Sequence, residues 1–151
     1  MKTALASTLL AFASLAARAV VPDTCAILTV DEINSVAGGT VTKVQPVRSG
    51  NPSECNFLDS RKAAVLSIKM REVQYAAPDE LRADRESDEK VYKAHTKDVK
   101  AVGEHAYWSD ASHQLAFHKG KILVYVTFQQ KKNANEVDSA QIARMIEQRI
   151  K

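Results

Sequence analysis

The chain has 151 residues, 26% of them charged, with a formal surplus of three positive charges; that length suits one hydrophobic core rather than two. Two of the basic residues, Lys2 and Arg18, lie in an N-terminal segment that reads as removable, and without them the surplus falls to one. Binding to nucleic acid or to an anionic membrane surface calls for a concentrated basic patch, so the charge supports neither class.

Residues 1–19 begin Met1-Lys2-Thr3, continue through an apolar run and end at the small-x-small triplet Ala17-Arg18-Ala19. This is the pattern of a secretory signal peptide, and the run is too short for a comfortable membrane span. Cleavage near Ala19 would leave one α+β domain over residues 20–151. Cys25 follows Pro22-Asp23-Thr24, which lacks the small-residue pattern of a lipoprotein cleavage site. It is therefore expected to pair with Cys55, the only other cysteine, in the oxidising compartment that export implies. A bridge closing a loop of about 30 residues contributes roughly 3–4 kcal/mol on the chain-entropy account.

From Cys25 the chain reads as a helix start. Thr29 and Glu32 form an S/T-x-x-E capping box, Leu28 can staple against Ile33, and Ile33, Val36 and Ala37 line one face. Gly38 or Gly39 supplies a left-handed stop after about two turns. Residues 40–47 then read as a strand, Ser49-Gly50-Asn51-Pro52 as a turn, and Cys55 to Leu58 as part of a second strand. The expected disulfide would tie the helix start to that second strand.

After the polar turn Asp59-Ser60-Arg61-Lys62, the residues Ala64, Leu66, Ile68 and Met70 alternate with Val65, Ser67, Lys69 and Arg71, the period of a half-buried strand. Pro78-Asp79-Glu80 opens a charged helix over residues 78–95, with Glu86–Lys90 and Glu89–Lys93 at i,i+4 and Lys93 near its end. Few of its residues are apolar, mainly Leu81, Val91 and Tyr92, so its charges read as a solvated face.

Residues 99–103 lead into a three-stranded meander over 104–108, 113–118 and 121–129, with Lys119-Gly120 as the second turn. Counted from the turns, Trp108 stands opposite His113, Ala106 opposite Leu115, Leu115 opposite Val124 and Phe117 opposite Ile122. That face is expected in the core. The reverse face carries His105, Tyr107, Gln114, Ala116, His118, Leu123, Tyr125 and Thr127, too apolar for plain solvent surface, so a helix or a partner must cover it. From residue 134 onward, Val137, Ala140, Ala143, Ile146 and Ile150 fall on one side of a closing amphipathic helix. The whole is an α+β domain. Its mainly antiparallel sheet of about five to six strands is flanked by the short N-terminal helix, the charged middle helix and the C-terminal helix.

Four motifs recur together here: Cys-x-hydrophobic-Leu-Thr-x-x-Glu-Ile from Cys25 to Ile33, Cys55 beside Phe57, Gly-x-x-Ala-Tyr from Gly103 to Tyr107, and Leu-x-hydrophobic-x-Lys-Gly from Leu115 to Gly120. In these the chain resembles small secreted bacterial domains of unknown function that look like PsbP-type α/β/α sandwiches. The resemblance spans most of the chain after residue 19 and implies a binding or assembly role with no transferable catalytic residue. Many such domains are lipid-anchored, a feature that Pro22-Asp23-Thr24 does not match.

No Gly-x-Ser-x-Gly, His-Glu-x-x-His, phosphate-binding glycine loop or Cys-x-x-Cys is present. His105 and His118 share a face and could share a metal if a third ligand joined them, but none is evident. Ser109, Asp110, Ser112 and His113 crowd one turn, where such residues ordinarily serve the turn itself. Aromatic side chains beside a polar rim are better candidates for contact. The expected contact surface is Tyr107, Leu123 and Tyr125, with His105 and His118 at its edge and Trp108 more simply packed in the core. The expected function is a non-enzymatic ligand- or protein-binding module of the cell envelope. Its alternatives are an inhibitor or immunity protein for an envelope hydrolase and a small hydrolase. The expected partner is an envelope protein or a small ligand, with no nucleic acid, no cofactor, no metal and a monomeric state.

Overall fold

The computed structural model describes residues 20–130 and 134–151; the expected signal peptide lies outside the described residues. Helix α1 spans Val30–Ala37 and begins as its capping box requires: the Glu32 N–H donates to the Thr29 hydroxyl at 3.2 Å, and the Thr29 N–H donates to the Glu32 carboxylate at 2.9 Å. Gly38, at φ 73°, ends it in the left-handed conformation that costs other residues most. Leu28 and Ile33 are buried in the same core.

Strands β1 (Lys43–Arg48), β2 (Ser53–Leu58) and β3 (Ala64–Glu72) follow, then helix α2 (Ala77–Val91). Strands β4 (Thr96–Asp98), β5 (His105–Ser109), β6 (Gln114–Lys119) and β7 (Ile122–Phe128) precede the closing helix α3 (Glu136–Glu147). All seven strands form one sheet in the order β1-β2-β3-β7-β6-β5-β4, with every neighbouring pair antiparallel. The strand beyond the expected count is β4. Its three residues are too few to show a period, and only pairing with β5 makes them a strand.

The Cys25–Cys55 disulfide joins the segment before α1 to β2, with Cα atoms 5.2 Å apart. Helices α1 and α3 pack together on one face of the sheet over Phe57, Leu66, Ile68, Leu115, Phe117 and Val126, all buried. Trp108 belongs to this core. Helix α2 lies on the other face, over β4 to β7.

Four local expectations are corrected. The charged helix ends at Val91 rather than near 95, because Lys93 adopts φ 57° and cannot continue it. Glu86 keeps its partner Lys90 at 2.8 Å, whereas Glu89 turns to Arg85 and Thr96. In α3, Val137 is 71% exposed and Ile142 is fully buried, so the buried stripe is centred on Ser139, Ile142, Ala143 and Ile146. The meander register is offset by two residues: Trp108 pairs with Leu115, Ala106 with Phe117, Leu115 with Val126 and Phe117 with Val124. The turns account for it. Residues 110–113 form a four-residue loop with His113 at φ 50°, and the second loop is Gly120-Lys121 with Gly120 at φ 55°. An even offset leaves each side chain on its expected face.

On the α2 face one transverse row is polar from edge to edge. Gln45, Asn56, Ser67, Thr127, Gln114, Ser109 and Thr96 stand opposite one another across the seven strands. The Ser67 hydroxyl donates to the Asn56 side-chain oxygen at 2.6 Å, and the Gln114 amide donates to Thr127 at 2.9 Å.

Candidate functional site

The face expected to meet a partner is roofed by α2. Ala77 and Leu81 of that helix, with Val73 before it, bury Tyr107, Ala116, Leu123 and Tyr125 in a second apolar cluster. Tyr107 is 3% exposed, Leu123 0%, Tyr125 8% and His118 1%; of the five expected contact residues, only His105 is exposed. The free aromatic surface is thus corrected to a helix-covered layer. Two apolar residues of α2 suffice because the sheet supplies the large rings, while the polar residues of the helix reach the groups that those rings carry.

Those contacts are specific. The Tyr125 hydroxyl donates to Asp84 at 2.5 Å and accepts from Arg71 at 3.2 Å, and Arg71 also pairs with Glu80 at 2.5 Å. Arg85 stands 5.8 Å from the centre of the Tyr107 ring, a cation–π distance. Burial pushes both phenols above the ordinary tyrosine range, with the Asp88 charge adding to the effect at Tyr107 and the hydrogen bond to Asp84 at Tyr125. Both tyrosines are therefore neutral hydrogen-bonding groups. They also line a small cavity of about 260 Å³ with Lys69, Arg71, Asp84, Asp88 and Gln114.

The larger concavity opens on the other side of Tyr107. A cleft of about 610 Å³ lies between α2 and residues 98–107, with Pro78, Leu81, Val99, Val102 and Tyr107 as its apolar part and Arg82, Arg85, Lys100, Glu104 and His105 as its polar part. Its wall is held by one guanidinium. Arg85 pairs with Asp98, donates to Thr96 at 2.8 Å and contacts Glu89 at 3.2 Å, so β4 is fastened to α2. Two residues of the rim have positive φ, Ala101 at 61° and Gly103 at 58°. A non-glycine residue in that region carries local strain, of order 1–2 kcal/mol, of the kind that clusters at functional sites. Gly103 has no alternative: a Cβ there would stand 2.6 Å from the His118 carbonyl oxygen and 2.7 Å from the Phe117 ring.

His105 and His118 are directly opposite, not diagonal, with ring centres 5.4 Å apart. The closest charge to His118 is Glu104, at 3.9 Å, and neither ring nitrogen of His118 has a hydrogen-bond partner. Among the described residues no group of three or more His, Cys, Asp or Glu could hold a metal ion. In the Ser109 to His113 turn, the Asp110 carboxylate accepts the His95 N–H at 2.8 Å, which is turn work and joins the start of β4 to this loop.

Of the five expected contact residues, the structure places His105 and Tyr107 at this cleft, Tyr125 beside the small cavity, and His118 and Leu123 inside the packing. Leu81, Arg85, Val99 and Val102 line the cleft and were not expected as site residues. The available signal was the apolar-basic-apolar segment 99–103 before the meander, whose valines had no assigned partner. Comparison of the sequence with protein-family models and with curated proteins finds no match.

Proposed function

We propose that the chain is an exported, non-enzymatic binding module of the cell envelope and that the cleft between α2 and residues 98–107 is its contact site. The observation that carries this is the cleft itself: about 610 Å³ of space, with an apolar floor and a polar rim. Sites for small ligands fall in this size range and have this composition. The rim residues Lys100 and His105 are exposed, so they can meet a partner without disturbing the core. Export is supported by the Cys25–Cys55 disulfide, since such bonds persist in oxidising compartments.

The test is capture from envelope extract by the intact protein and by a folded Lys100→Glu/His105→Ala variant. The reading expects a species retained by the first and lost by the second at equal melting temperature. Equal retention by both would overturn the cleft as the contact site.

A further inference from the structure

Among the described residues, strand β4 is an edge of the sheet and pairs only with β5. The Val99 N–H donates to the Ala106 carbonyl at 3.0 Å and the Asp110 N–H donates to the His95 carbonyl at 3.3 Å. Such bonds recur at every second residue of an antiparallel ladder. Lys97 therefore turns its main chain toward β5, and Thr96 and Asp98 turn theirs outward. The opposite edge is blunted: β1 carries Pro46, which has no N–H, and its register shifts between Pro46 and Arg48.

A cavity flanks β4 on each side of the sheet. On the α2 side is the cleft already described; on the α3 side is a cavity of about 420 Å³ whose lining includes Lys97, Glu136, Val137, Ala140 and Arg144. The two share Asp98, Val99 and Lys100. A strand laid along β4 would send alternate side chains to opposite faces, one set toward each cavity.

The charge around the edge selects what such a strand would carry. Arg85 is matched by Asp98 and Lys97 by Glu136. Lys100 and Arg144 have no ion-pair partner among the described residues, and both are exposed. We infer that β4 is a strand-addition site for an extended acidic segment of a partner protein. The main chain of that segment bonds Thr96 and Asp98, and its carboxylates meet Lys100 and Arg144. This rests on the reading of the α2 cleft as a contact site and adds the partner's conformation and charge.

The experiment pans a phage-displayed library of short random peptides against the purified full chain, then measures amide hydrogen exchange with a synthetic copy of the best binder. The inference expects Asp or Glu enriched at alternate positions and exchange at Thr96 and Asp98 slowed roughly tenfold or more. It also expects binding weakened roughly tenfold by Lys100→Glu/Arg144→Glu at unchanged melting temperature. Selection of no peptide, or of peptides without acidic enrichment, would overturn it. So would a dimer of the chain, seen in sedimentation, that buries β4 against a second copy and resists the peptide. Peptides that shift the Val102 and His105 amides but leave Thr96 and Asp98 exchanging freely would defeat strand addition while the cleft reading stood. Protection of β4 with a silent cleft would support the edge and count against the cleft.

Discussion

Arg149 reaches back 117 positions to Glu32, donating a 3.1 Å hydrogen bond to the carboxylate that also caps α1. The same guanidinium donates to the Ile27 carbonyl at 2.5 Å, so the residue just beyond α3 holds the start of α1.

The Arg149 hydrogen bond, followed by the Thr29 N–H, lowers the Glu32 pKa from 4.5 to about 2. A depressed carboxylate contributes stability above its unfolded pKa and loses it as pH falls through the folded value. Stability should therefore decline between about pH 4.5 and pH 2, and Glu32→Gln should flatten that part of the curve. Because the pair is partly solvated, the difference at neutral pH should be under about 1 kcal/mol. Urea midpoints of both proteins across this range provide the check, and parallel curves would contradict it.

Replacing Cys25 and Cys55 by serine should cost roughly 3–4 kcal/mol of unfolding free energy. Denaturant titration measures the loss, and peptide mapping without reductant should recover the two cysteines as one linked pair.

Gly103→Ala should be far more harmful than Gly39→Ala, although both positions have positive φ. At Gly39 an added Cβ meets nothing within 4 Å, leaving only the left-handed penalty of about 1–2 kcal/mol. At Gly103 the close approach to His118 and Phe117 adds overpacking of about 1–3 kcal/mol. Similar melting temperatures for the two variants would refute the close approach.

Tyr125→Phe removes a group that both donates to Asp84 and accepts from Arg71, and should cost about 1–2 kcal/mol. A raised phenol pKa means that the folded state holds the proton longer, so stability should fall as pH rises above the unfolded value near 10. Phenolate absorbance from Tyr107 and Tyr125 should appear only with loss of the folded circular dichroism signal.

Local signals were legible because they depend on neighbours in sequence: Thr29 with Glu32, Gly38 as a stop, and the alternation through Leu66, Ile68 and Met70. Face assignments survived a misplaced turn because strand side chains repeat every two residues, so the Tyr107–Tyr125 side and the Leu115–Phe117 side were separated correctly. The role of α2 was not legible. Beside Ala77 and Leu81, its inward-facing polar groups are Arg85, Asp84 and Glu80, and charge spacing alone does not distinguish a solvated carboxylate from one that accepts a buried tyrosine hydroxyl. The cleft was hidden for a related reason, since its wall depends on a three-residue strand held by Arg85 from another element.

The polar row from Gln45 to Thr96 has a bearing on how the meander avoids misalignment. Inward and outward alternation tolerates any even slip, so apolar patterning alone leaves two-residue neighbours of the native pairing nearly equivalent. A two-residue slip in both hairpins would set Gln114 between Tyr107 and Tyr125, beneath the helix, and separate its amide from Thr127. A carboxamide stripped of that partner in an apolar layer costs on the order of 1–3 kcal/mol. The row thus works as a vernier: the greasy faces set the coarse position of each strand, and Gln114 against Thr127 selects the correct notch.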